Sequence, residues 1–471
     1  MSKITNVRLP NAATQQYSPE QFNQLVRSLE QVILQLNNTY SPIVTEDKDA
    51  ALTWYESGGG LMDDTGMTIP VSIGGTNTDA FGRLRVSNPE TLFDSSHRYA
   101  DNNLWATQTV GTAAATFNQD EGLVNLTVGA ANNDEIVRET TKVFSYQPGK
   151  SLLVMNTFVL GTAKANLRQR IGYYGAANGI YFERVGSALY MVERSSVTGA
   201  VVDTQVAQAN WNQDPLDGTG PSGVTLDASK AQILYIDVEW LGLGTVRTGF
   251  IIDGIFLPAH NFNHANLVNT TYITTASLPL RYEMKNTGAT TGTSTLKQVC
   301  STVISEGGYQ LAGAQQTVGT PINLPRTLTT AATLYPVVSL RLKATRLDAI
   351  VILTAVSILG ITNNANYQWQ VVSRGATTGG TWVSAGTNSG VEYNITGTAF
   401  TSTGGRVLAT GFFQGSNQGA GPVDILKEAL FASQLERDPF VPTPYELTLA
   451  CTSATNGDQV LASLDWEEIS R

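Results

Sequence analysis

Residues 230–254, KAQILYIDVEWLGLGTVRTGFIIDG, leave few options for the fold around them. They read as two strands meeting at a tight turn. Leu234, Ile236 and Val238 alternate with Tyr235, Asp237 and Glu239. A strand's period of two puts each set on its own face. Gly242 and Gly244 supply the turn, and the return strand over 247–253 ends at Asp253-Gly254, a second hairpin signal. A hairpin with one apolar face needs another sheet to cover it, so the flanking chain must complete a sandwich.

The flanks have the material. Between about 89 and 308, β-compatible runs recur at 123–128, 136–144, 151–160, 167–174, 179–184 and 188–195. They continue at 233–241, 245–252, 256–262, 278–283 and 296–305. Turn residues separate them and no helical spacers intervene, which predicts a two-sheet β-sandwich over 89–312. After Pro321, Pro325 and Pro336 a second, smaller β-sandwich is expected over 313–471. Its strands fall at 337–344, 349–359, 367–373, 390–395, 406–413, 445–451 and 459–467, with one helical candidate at 423–434. The chain is therefore mainly β.

The N-terminal segment differs. Ser18-Pro19-Glu20-Gln21 combines an N-cap, a first-turn proline and a capping box, which predicts a helix over 19–37. Phe22, Leu25, Leu29, Val32 and Leu36 form an a/d seam along it. Two heptads are marginal alone, so this helix needs a partner. The partner is either the chain's own β domain, the same helix in other copies, or a groove on another protein. Residues 1–40 are thus an expected anchor, and the Gly-, Pro- and Asp-punctuated 41–88 an expected linker with short strands near 66–73.

Composition excludes several classes. Charged residues make up 14% of the chain and the formal net charge is −10, with no basic patch, which argues against nucleic-acid binding. Hydrophobic residues at 42% exclude wholesale disorder. The longest apolar run, 349–359, falls well short of the ~20 residues a membrane helix needs. The N-terminus lacks the apolar core of a signal peptide. The only cysteines, Cys300 and Cys451, make no disulfide framework or zinc site, so a soluble protein made in a reducing compartment is expected.

Three segments carry a resemblance: GIYFERVGSALYMVERSSVTG (179–199), LDASKAQILYIDVEWLGLGTVRTGFIIDG (226–254), and LPLRYEM with QVCSTVISEGG (278–284 and 298–308). They resemble virion structural proteins of tailed bacteriophages, of the marine and cyanobacterial type. AFGRLRVSNPETLFDSSHRYADN (80–102) and the leader beginning NVRLPN (6–11) fit the same pattern. The resemblance spans roughly the first two thirds of the chain and contains no catalytic motif. It implies a concanavalin-like jelly roll in a fibre, appendage or decoration protein of the virion. By analogy with phage fibres, it implies a homo-oligomer, with a trimer favoured, attached to other virion proteins of head or tail through the N-terminal segment.

YIDVEWLG (235–242) resembles the E-x-D-x-E strand of laminarinase-like β-glucanases, which share the jelly-roll fold. Asp237 and Glu239 match the second and third positions, but Tyr235 stands where that family has its nucleophile. Retaining hydrolysis canonically needs two carboxyl groups roughly 5 Å apart. No catalytic residue is therefore expected. Tyr235, Asp237, Glu239 and Trp240 remain as a glycan-binding candidate, with weak hydrolysis by the Asp237/Glu239 pair as the alternative. Trp211, Trp369 and Trp382 are further stacking candidates, against a plain core role. His260 and His264 have zinc-like spacing only on a helix, and Pro258 and the surrounding asparagines argue against one. They are expected to be ordinary loop histidines, with no metal and no cofactor.

Overall fold

The computed structural model describes residues 88–310, 312–415, 434–441 and 443–470, with five isolated positions and two short strands before them. Met1–Val86 and Ser87–Arg471 are separate compact units. In the first, Asn23, Val26, Arg27, Leu29 and Glu30 are helical and exposed. Phe22, Leu25, Val32 and Leu36 of the expected seam lie outside the described residues. Gly60–Met62 and Thr68–Pro70 pair antiparallel; the second falls within the 66–73 stretch where short strands are expected, and the first precedes it.

In the second unit, two antiparallel sheets enclose one core. The seven-stranded sheet runs Val202–Ala207, Ala188–Ser195, Gly179–Val185, Leu167–Tyr174, Leu280–Asn286, Glu135–Thr140, Trp105–Val110. The eight-stranded sheet runs Ile255–Phe262, Val246–Ile252, Ala231–Val238, Leu152–Val159, Ser294–Ser305, Leu123–Val128, Ala114–Asn118, with Glu90–Ser96 also on Ser294–Ser305. The chain repeatedly crosses between sheets, as from Leu123–Val128 to Glu135–Thr140, in jelly-roll manner. Leu234, Ile236 and Val238 face the shared core with Val154, Phe158, Phe182 and Phe250. Asp253 (φ +53°) and Gly254 (φ +78°) make the expected two-residue turn into Ile255–Phe262.

In this sandwich four strands are not evident in the sequence: Glu90–Ser96, Trp105–Val110, Ala114–Asn118 and Val202–Ala207. The last three are sheet edges, and an edge strand buries little, so its sequence carries little alternation. The long strand Ser294–Ser305 has a bulge between Gln298 and Cys300. Before it Ser294, Leu296 and Gln298 are buried; after it Ser301, Val303 and Ser305 are. Cys300 itself is exposed, whereas Cys451 is buried.

The outer face of the seven-stranded sheet is covered by its own polar side chains. Arg170 donates to Glu183 at 2.6 Å, Arg168 to Glu283 at 2.7 Å, and Arg194 clamps Asp203 at 2.8 and 2.9 Å. Tyr174 and Tyr181 lie beneath these arginines, fully buried. A layer of matched charges over aromatic rings thus buries strands that read as half-exposed.

The second sandwich has its own core, built on Trp369, Leu449, Leu464 and Trp466. Asp458–Ser470 pairs with Ile350–Gly360 on one side and with Ala314–Gly319 and Arg326–Leu328 on the other. The opposing seven-stranded sheet centres on Tyr335–Leu342, Glu446–Ser453 and Asn366–Thr378. Most of the candidate helix 423–434 lies outside the described residues; its last residue, Gln434, is bridged to Ile352 instead. Gln434 also donates to the Val143 carbonyl at 3.0 Å, joining the two sandwiches. Beside it, Arg374 donates to Thr141 Oγ1 (2.9 Å) and to the fully buried Glu436 (2.6 Å). Arg406 reaches Glu436 at 2.8 Å and Arg437 reaches Glu139 at 3.1 Å. Val143, Ile350 and Ile352 supply a small apolar patch.

Candidate functional site

Strand register assembles the site on the outer face of the eight-stranded sheet. Asp237 stands opposite Leu153 on one side and Arg247 on the other. Arg247 stands opposite Asn261, and Leu153 opposite Ile304. Glu306 lies two residues beyond Ile304, on the same face by the period of two. One step along, Tyr235 is opposite Gly249. A Cβ at Gly249 would lie 2.8 Å from Tyr235 Cε1 and 2.1 Å from the Leu257 carbonyl oxygen, so only glycine lets the ring lie across the neighbouring strand. Phe256, beyond the Asp253-Gly254 turn, meets Tyr235 edge to face with centroids 5.0 Å apart, and is 49% exposed.

These residues, with Gln213 and Pro258, line an open cavity of about 440 Å³. Asp237 is buried near its floor. One carboxylate oxygen accepts from the Arg247 guanidinium; the other, Oδ1, is buried with no partner among the described residues. Burial raises the Asp237 pKa; Arg247 opposes this, and Glu306 and Glu239 add to it, leaving the carboxyl above its ordinary range. Burial pushes the Tyr235 phenol up to about 12, so it stays protonated at neutral pH. Glu306 accepts from Ser151 Oγ at 2.9 Å.

The structure brings two of the four predicted residues together in this cavity. Tyr235 and Asp237 share the cavity, but Glu239 lies past the strand end, exposed and outside the lining. Trp240 is half-buried against the core, edge-on to Tyr146 at 5.9 Å. Trp211 and Trp369 are core residues, and Trp382 lies under the Arg341 guanidinium at 4.0 Å. Arg247, Phe256, Asn261 and Glu306 were missed. Counting back across the hairpin from Asp237 finds Arg247; nothing local marks Glu306, which arrives from a strand some 70 residues later.

His260 and His264 are both buried; His264 lies in a loop as expected, whereas His260 falls within a strand. His260, within Ile255–Phe262, is buried, and its Nδ1 accepts from the Asn212 amide at 3.2 Å. Burial lowers its pKa. His264 is stacked on Tyr272, centroids 3.8 Å apart. Its Nε2 lies 2.7 Å from Glu193 Oε2 and its Nδ1 lies 2.6 Å from the Gly244 carbonyl. Both neighbours are acceptors, so both ring nitrogens must carry protons. Burial pulls this pKa down, but the Glu193 and Gly244 bonds outweigh it and hold the imidazolium above its ordinary range. No cluster of three metal-ligating side chains exists among the described residues.

No protein family matches the chain, and no curated protein does. Among solved structures, it is similar to a Bacillus licheniformis β-glucanase, with 11% identity and a TM-score of 0.32 over 46% of this chain and 99% of that one. It is also similar to the carbohydrate recognition domain of Emp47p (10%, TM-score 0.29, 48% of this chain and 99% of that one). A third is a carbohydrate esterase from the Shiga toxin-encoding bacteriophage phi24B (13%, TM-score 0.29, 46% of this chain and 100% of that one).

Proposed function

We propose that this chain is a non-catalytic structural component of a phage virion, an oligomeric appendage or decoration that meets host-surface carbohydrate through the cavity around Asp237. The observation that carries the carbohydrate half is the unpartnered Asp237 oxygen beside the Tyr235–Phe256 pair. Buried acceptors next to an exposed aromatic edge suit a ligand with hydroxyls on its rim and C–H groups on its faces. The virion half is supported by the resemblance of 80–102, 179–199, 226–254 and 278–308 to phage structural proteins. The lack of catalysis is supported by the residue at 235, a tyrosine where the similar glucanase motif has a carboxylate.

Two experiments test it. A glycan array probed with the full chain should show binding that Tyr235→Ala and Phe256→Ala abolish; uniform silence would refute carbohydrate recognition. Deleting residues 1–40 should leave folded β sandwiches that no longer enter particles. Continued incorporation would remove the anchor role.

A further inference from the structure

The cavity around Asp237 also has a charge preference. Two carboxylates, Asp237 and Glu306, line it against one guanidinium, Arg247, and Arg247 already donates to Asp237. Glu239, exposed, follows two residues after Asp237. The unmet demand inside is for hydrogen-bond donors: Asp237 Oδ1 and Asn261 Oδ1 are both buried without partners among the described residues. Asp237 is itself more than nine-tenths buried, at 8% exposure, so this oxygen cannot turn to bulk water without the side chain leaving its place.

We infer that the cavity takes a neutral or amino sugar, whose hydroxyl or ammonium group donates to Asp237 Oδ1, and rejects acidic sugars. This deepens the carbohydrate reading above and rests on it. A sugar carboxylate would gain only a guanidinium that is already engaged and 60% exposed to water. It would also face two carboxylates at close range, and a like charge set against a partner rejects it even where its shape fits. At separations of about 5 Å and an effective dielectric constant between that of water and a protein surface, such a net repulsion weakens binding roughly tenfold. Glu306 is then the rejecting residue. It accepts from Ser151 Oγ on the neighbouring strand side of the cavity.

The test is calorimetry and ligand-observed NMR on the full chain with three probes: cello-oligosaccharide, chitosan oligomer and oligogalacturonate. Binding of either of the first two with at least a tenfold deficit for oligogalacturonate is expected. Glu306→Gln should narrow that deficit, and Asp237→Ala should lose the neutral probe, with circular dichroism establishing that each variant is folded. Oligogalacturonate binding as well as or better than the others would overturn the charge preference and leave carbohydrate recognition standing. Silence toward all three, joined to a silent glycan array, would overturn both.

Discussion

Glu436 is the residue whose loss should be felt furthest from its own position. Its carboxylate is fully buried and accepts from Arg374 at 2.6 Å and Arg406 at 2.8 Å, with Thr141 of the first sandwich 3.4 Å away. Lys142 is close enough to feel it: burial pushes that ammonium down to about 8, against the pull of Glu436. Glu436→Ala takes from Arg374 and Arg406 the carboxylate they share. Removing one partner of a buried pair typically costs about 3–5 kcal/mol. Arg374 and Arg406 are 20% and 33% exposed and can recover some hydration, which places this case near 3 kcal/mol. In a sandwich of this size that lowers Tm by roughly 6–12 °C. Thermal unfolding followed by tryptophan fluorescence reads it directly, since Trp369 and Trp466 sit in the affected core. Because Glu436 also joins the two sandwiches through Arg374 and Thr141, the variant should show separated transitions where the parent shows one. A shift under about 2 °C with the transition shape unchanged would mean the network is solvated and contributes little, and the reasoning would be wrong.

Further outcomes are expected. The chain has three histidines, so an NMR titration should resolve all of them: His264 titrating above its ordinary pKa, His260 below, and His97 near 4, lowered mainly by burial. The signs oppose each other. The His264 contribution is complete below the unfolded pKa of 6.5 and fades as pH rises through its folded value. The His97 contribution is present above 6.5 and is lost as pH falls toward 4. A His264 resonance titrating at or below 6.5 would contradict the double-acceptor geometry. Gly249→Ala forces a methyl group against the Leu257 carbonyl and the Tyr235 ring, and should cost about 1–3 kcal/mol while displacing that ring; unchanged stability and unchanged glycan binding would refute its role. Light scattering should give a trimer for the full chain and a smaller species for a chain starting at residue 79, which lacks the N-terminal seam. A monomeric full chain would refute the oligomer, and a trimer in both would move the assembly surface to the sandwiches.

The parts of the fold legible in the sequence are those where one face is apolar and the other is not. Leu234, Ile236 and Val238 announced their strand, and Asp253-Gly254 its turn, because period and turn chemistry are local. Edge strands such as Ala114–Asn118 were silent because little of them is buried. The polar layer of Arg170, Glu183, Arg194 and Glu283 was illegible for another reason: each charge is ordinary alone and becomes a core-like feature only when four strands align. The candidate site divides the same way. Tyr235 and Asp237 share a strand, so spacing joined them, whereas Glu306 and Phe256 enter through register with other strands. Glu239 falls outside the cavity lining because the strand Ala231–Val238 ends before it, although alternation continues in the sequence.

The bulge between Gln298 and Cys300 gives the strand Ser294–Ser305 one residue more than its neighbour Leu152–Val159 requires. Even-numbered residues face the core before it and odd-numbered ones after, which is why Glu306 emerges on the side of Asp237. A flat ladder through the same residues would put Ser305 over the cavity and turn Glu306 inward. Shortened by Val299, the strand would need no bulge at all: Gln298 and Ser301 would then stand two apart, both still facing the core. The surplus residue therefore acts as slack. The strand can lose one codon there without disturbing the carboxylate that sets the charge of the cavity, whereas an added codon after Cys300 has no slack to draw on and would invert that carboxylate's face.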